Sequence, residues 1–127
     1  MWFELATRLV QGKTLLGKVL HDVFVGIDLL QALPEVDPEI IGFIGHSYGG
    51  KMAMWAPALD HRIKASVSSC GCISYRDSLE REVEVQLEFC VPGIMEVGDV
   101  GDIVRLIEPN SLLILGATAD KWSSGAE

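Results

Sequence analysis

A run of β-branched and aromatic residues, Ile40, Ile41, Phe43 and Ile44, stops at Gly45-His46-Ser47-Tyr48-Gly49-Gly50 and gives way to a segment of helical composition. Few local patterns constrain a fold so tightly. The apolar run reads as a strand over about 40–45, and its lack of polar interruption predicts burial on both faces. Gly49 to Leu59 reads as a helix, with Pro57 expected to shorten or kink its last turn. A serine between such elements has to stand on a sharp corner, and the GxSxG spacing permits one by keeping Gly45 and Gly49 on either side of Ser47.

The rest of the chain repeats the alternation. Leu16, Val19, Leu20, Val23, Ile27 and Leu30 recur three and four apart, which predicts a long helix from Thr14 to Leu33 that Pro34 and Pro38 close off. Residues 63–70 and 112–116 read as two further buried strands, and 99–107 as a short helix stopped by Pro109. Segment 74–95 is ambiguous: Val83, Val85, Leu87 and Phe89 alternate like a strand, while Leu79, Val83, Leu87 and Cys90 share one helical stripe. Helix is the expectation there. Strands alternating with helices imply parallel pairing, so residues 1–127 are expected to form a single α/β domain, a mostly parallel sheet with helices on both faces in three layers. In such sheets chemistry collects at the carboxyl ends of the strands.

Charge and cysteine content exclude several classes. With 10 Lys and Arg against 18 Asp and Glu, the net charge of −8 offers no footprint for nucleic acid or an anionic membrane. Lys18, His21, Asp22 and Asp28 interrupt the longest apolar stretches, so no membrane span is expected. No secretory pattern is expected in residues 1–13 either, and the three cysteines Cys70, Cys72 and Cys90 cannot close a disulfide framework, which together suggest the cytoplasm. The cysteine spacing lacks a second ligand pair, and no phosphate or dinucleotide motif is present. Neither a metal nor a cofactor is expected.

The corner supplies the candidate chemistry. Ser47 is the candidate nucleophile, and the Tyr48 backbone N–H, at the start of the following helix, is the candidate oxyanion donor. A serine needs a base, and the base an acid to orient it. Asp120 follows the third strand, in the right place for that acid, with Asp77 as second choice. The three histidines are less well placed: His46 should pack beneath the corner, His21 lies on the polar side of the long helix, and His61 joins the corner helix to the second strand at the wrong end of the sheet.

Taken together, GHSYGG, RIKASVSSC and SLLILGATAD resemble the α/β-hydrolase superfamily, and within it the dienelactone-hydrolase-like and acetyl-xylan-esterase-like members. Residues 12–122 fit in order. The resemblance implies Ser47 as nucleophile, the Tyr48 amide as half of the oxyanion hole, Asp120 as triad acid, and hydrolysis of small esters or lactones through an acyl-enzyme. The family's histidine lies well beyond the acid, whereas only seven residues follow Asp120 and none is histidine. The chain is therefore expected to be the central portion of that fold, truncated at both ends. Unpaired outer strands would then favour a homo-oligomer through exposed sheet edges, in which His21 or His61 of a second copy could serve Ser47. The alternative reading is a catalytically silent fragment with an association or binding role.

Overall fold

The computed structural model describes residues 2–83 and 85–119. The long helix predicted from the sequence is α2, Leu15–Gln31, preceded by a short helix α1, Trp2–Val10, that is not among the predicted elements. Thr14 starts α2 by accepting the Gly17 N–H on its side-chain oxygen at 3.0 Å, an N-cap that satisfies one orphan donor of the first turn. Leu16, Leu20 and Ile27 then face the core. The two predicted strands follow as β1, Ile41–His46, and β2, Ile63–Ser69, joined by α3, Tyr48–Leu59. Met52, Ala53, Met54, Trp55, Ala56, Pro57 and Ala58 of α3 are all buried, because the helix lies on the sheet with α2 and a later helix packed against it. Pro57 does not end α3, which runs on to Leu59.

The third strand, β3, is Ser111–Leu115, and the sheet has the order β1-β2-β3 with both pairings parallel. Helices flank this open sheet, as the alternating pattern requires. One sheet face, carrying Phe43, Ser66, Ser68 and Leu112, is largely covered. The opposite face is not. Ile44 is 78% exposed, Leu113 54% and Leu115 47%, so among the described residues the helical covering expected on both sides is found on one. The apolar run predicts burial on both faces and the structure buries one, because apolarity reports what a face can bury against, not what is present to bury it.

Segment 74–95 is not one helix. It divides into α4, Tyr75–Glu80, a single 3₁₀ turn at Leu87–Phe89, and α5, Ile94–Val97. The stop after α4 is local: Glu82 takes φ +53°, and the Val83 N–H reaches back to the Ser78 carbonyl at 2.9 Å, the pattern of a left-handed helix terminus. Phe89 is then free to enter the core, where the Tyr75 hydroxyl donates to its carbonyl at 2.5 Å. Burial lifts the Tyr75 phenol to about 12, so it stays a donor at neutral pH.

One carboxylate joins the start of α4 to the helix that follows this segment. Asp99 caps α6, Val100–Arg105, by accepting the Val100 N–H at 2.6 Å, and it also accepts from Ser74 Oγ at 2.7 Å, the Tyr75 N–H at 2.8 Å and the Arg76 N–H at 3.1 Å. Partial burial raises its pKa, but hydrogen bonds from Ser74, Val100, Tyr75 and Arg76 outweigh that and hold it at about 2. The native state therefore gains stability above the unfolded value near 4 and loses it as pH falls from there through about 2. Asp99→Asn is expected to cost about 1–2 kcal/mol at pH 7 and much less at pH 2, read from urea unfolding at the two pH values.

Candidate active site

β1 delivers the chain to the corner at its carboxyl end. Ser47 sits there with φ +54° and ψ −112°, a left-handed conformation that non-glycine residues adopt rarely and at a cost of about 1–3 kcal/mol. Its side chain makes no cap hydrogen bond to α3 and is exposed, so the hydroxyl is not consumed in supporting the helix it precedes. A serine at a helix start that is neither capping nor buried is unusual, since capping is the ordinary use of serine there. The N–H of Ser47 donates to the Ser69 carbonyl at 2.8 Å, and its carbonyl accepts the Lys51 N–H at 3.0 Å.

The glycines around the corner are not equivalent. A Cβ on Gly45 would stand 2.0 Å from the Gly49 carbonyl oxygen, while one on Gly49 would meet nothing within 4 Å. The expectation that both sites flanking Ser47 must be small therefore holds for one side. Gly50 and Gly71 form a second close approach: a Cβ on Gly50 would lie 2.5 Å from the Ser69 carbonyl, and one on Gly71 would lie 2.3 Å from the Gly50 carbonyl carbon. The end of β2 is thus pressed against the first turn of α3. Gly71 went unnoticed in the sequence, because its partner is distant along the chain and no short motif contains it.

Tyr48 is the first residue of α3, which places its N–H among the donors at the positive end of a twelve-residue helix. Its ring turns away from that role. It packs edge-on against Phe89, with centroids 5.3 Å apart, and the Lys51 ammonium stands 5.1 Å from the centre of the same Phe89 ring. Burial, reinforced by the Glu88 charge, raises the Tyr48 phenol. The 3₁₀ turn therefore buttresses the corner helix through Phe89, a contact the ambiguous 74–95 pattern could not reveal.

His46, in register with Ser69, is exposed, and its Nδ1 lies 3.0 Å from Ser69 Oγ. Expected beneath the corner, it instead stands on the open face of the sheet. His61 precedes β2 and so lies at the amino end, away from Ser47, as the sequence suggested; His21 is exposed on α2. Asp77 belongs to the first turn of α4 and pairs with Arg81 at 3.3 Å. Asp120 lies outside the described residues. Among the described residues no cluster of His, Cys, Asp and Glu could hold a metal ion, and no helix is long and apolar enough to cross a membrane.

The model of the prolyl oligopeptidase family matches residues 10–96, which include the whole of the corner. The chain belongs to the prolyl oligopeptidase family. Among curated relatives of this family member, the putative hydrolase YtaP of Bacillus subtilis (strain 168) is 32% identical over 118 residues, spanning 89% of this chain and 38% of the relative. The thiohydrolase aneE of Aspergillus aculeatus is 32% identical over 72 residues, covering 55% of this chain and 23% of its own, and the carbohydrate esterase MZ0003 of an unknown prokaryote is 27% identical over 113 residues, 76% and 26% respectively. The chain thus spans between 23% and 38% of the length of these relatives. Two solved structures share its fold: the glucuronoyl esterase from Solibacter usitatus, with TM-score 0.64, 23% identity, and 82% of this chain on 31% of that one, and a promiscuous CE15 esterase from a marine bacterial metagenome, with TM-score 0.62, 24% identity, and 81% on 30%. The three parallel strands flanked by helices are an α/β-hydrolase sheet.

Proposed function

We propose that this chain carries the nucleophile of a serine hydrolase of the carboxylic-ester type, acting on small esters or lactones through an acyl-enzyme. The observation that carries the reading is the strained, exposed Ser47 at the carboxyl end of β1, with its hydroxyl unused by the helix that follows. Relatives named as a hydrolase, a thiohydrolase and a carbohydrate esterase support it. In this reaction Ser47 Oγ adds to the ester carbonyl carbon while a base takes its proton. The Tyr48 N–H donates to the oxyanion that forms, collapse expels the alcohol, which receives the proton from the base, and water then releases the acid by the reverse sequence. Asp120 is the acid that would orient the base. The net charge of −8 opposes strongly anionic substrates. The free thiols of Cys70, Cys72 and Cys90 support a reducing, cytoplasmic setting.

The base has to come from elsewhere than the corner: among the described residues none hydrogen-bonds Ser47 Oγ, and His46 is engaged with Ser69. β1 and β3, the two outer strands of the sheet, and the apolar face of Ile44, Leu113 and Leu115 support association with a second copy that brings His21 or His61 to Ser47. Light scattering over a dilution series is expected to give a mass at least twice that of one chain. Mixing Ser47→Ala with His21→Ala or with His61→Ala is expected to restore aryl-ester turnover in one of the two mixtures. A monomer with no restored turnover would overturn the histidine donated by a second copy.

A further inference from the structure

The strain at Ser47 has to be held by its surroundings, because a residue at φ +54° relaxes toward an ordinary conformation unless contacts over-determine it. One residue of β2 takes part in several of those contacts. The Ser69 carbonyl accepts the Ser47 N–H at 2.8 Å, and the same oxygen would lie 2.5 Å from a Cβ on Gly50. It is wedged between the end of β1 and the first turn of α3. The Ser69 hydroxyl meets His46 Nδ1 at 3.0 Å, one residue before the corner. The carbonyl contact would be available to any residue at position 69. The hydroxyl contact exists only because that residue is serine.

We propose that Ser69 is a positioning residue for Ser47, acting through His46; the proposal rests on the serine-hydrolase reading of the site. Its hydroxyl holds an exposed imidazole that nothing else in the described residues holds, and so adds a side-chain restraint to the peptide between His46 and Ser47, whose N–H the Ser69 carbonyl also holds. That peptide sets where Oγ points. The neighbouring Ser68 gives the contrast. Its side chain is fully buried with no hydrogen-bond partner among the described residues, in register with Gly45 on the covered face. Two adjacent serines thus differ in use: one hydroxyl is tied to the corner and one is not.

The test measures the rate at which a fluorophosphonate probe labels Ser47, together with kcat and KM for an aryl ester. Ser69→Ala is expected to slow labelling and kcat by about tenfold with KM unchanged, whereas Ser69→Thr, which keeps a hydroxyl, stays within about twofold of wild type. Ser68→Ala is expected to change neither. If Ser69 acts through His46, adding Ser69→Ala to His46→Ala produces no further loss. Wild-type labelling in Ser69→Ala, or full additivity with His46→Ala, overturns the proposal. Hydrogen exchange at the Ser47 amide separates this from failure of the hydrolase reading. In a chain that the probe never labels, Ser69→Ala is still expected to speed that exchange about tenfold, with Ser69→Thr unchanged, and unaltered exchange overturns the tether itself.

Discussion

Replacing Ser47 with alanine is expected to lower turnover of an aryl short-chain ester by about four orders of magnitude or more while leaving stability within about 0.5 kcal/mol of wild type. The two halves of that expectation have separate causes. Turnover falls because the atom that forms the acyl bond is gone. Stability holds because the hydroxyl removed makes no cap hydrogen bond and is exposed. Ser47→Gly sharpens the contrast: glycine accepts φ +54° without the steric penalty, so that variant should unfold at a higher urea concentration, by about 1 kcal/mol, yet be as inactive as the alanine variant. Loss of activity accompanied by gained stability identifies a strained functional residue. An inactive variant that also unfolds early would mean that Ser47 supports the fold rather than the chemistry.

Gly45→Ala is expected to cost about 3 kcal/mol or more, and Gly49→Ala about nothing, although both positions belong to the same GxSxG pattern. The added methyl at 45 would lie 2.0 Å from the Gly49 carbonyl oxygen, far inside any contact distance, so α3 would have to move off the end of β1. No side chain can swing aside there, because the obstacle is backbone. At Gly49 the methyl would meet nothing within 4 Å, and alanine is the better helix former by about 1 kcal/mol, so a slight gain is expected. Urea unfolding of the two variants beside wild type gives the answer directly. Equal losses at both sites would show that the corner is tight on both sides and that the asymmetry described above is wrong.

How much of this was legible beforehand follows from the range over which each signal acts. The strands at 41–46, 63–69 and 111–115 and the helices at 15–31 and 48–59 were readable because periodicity and caps are local, and the corner because its glycines and serine are contiguous. The fragmentation of 74–95 was not readable, since it depends on Phe89 reaching a core built from α2 and α3. Ser69 and Gly71 were passed over for the same reason: each acts on a residue more than twenty positions away, and neither lies in a recognisable spacing. The open face of the sheet was invisible because an apolar strand looks alike whether or not a neighbour covers it. α1 was legible in principle, since Trp2, Leu5, Ala6 and Leu9 recur three and four apart, although of these only Leu5 is buried.

The most direct test of the central claim is a peptide-resolved mass spectrum of the protein after incubation with a fluorophosphonate. The account predicts one covalent adduct, on the peptide containing Ser47, absent from Ser47→Ala. No adduct, or one on a different serine, would contradict it.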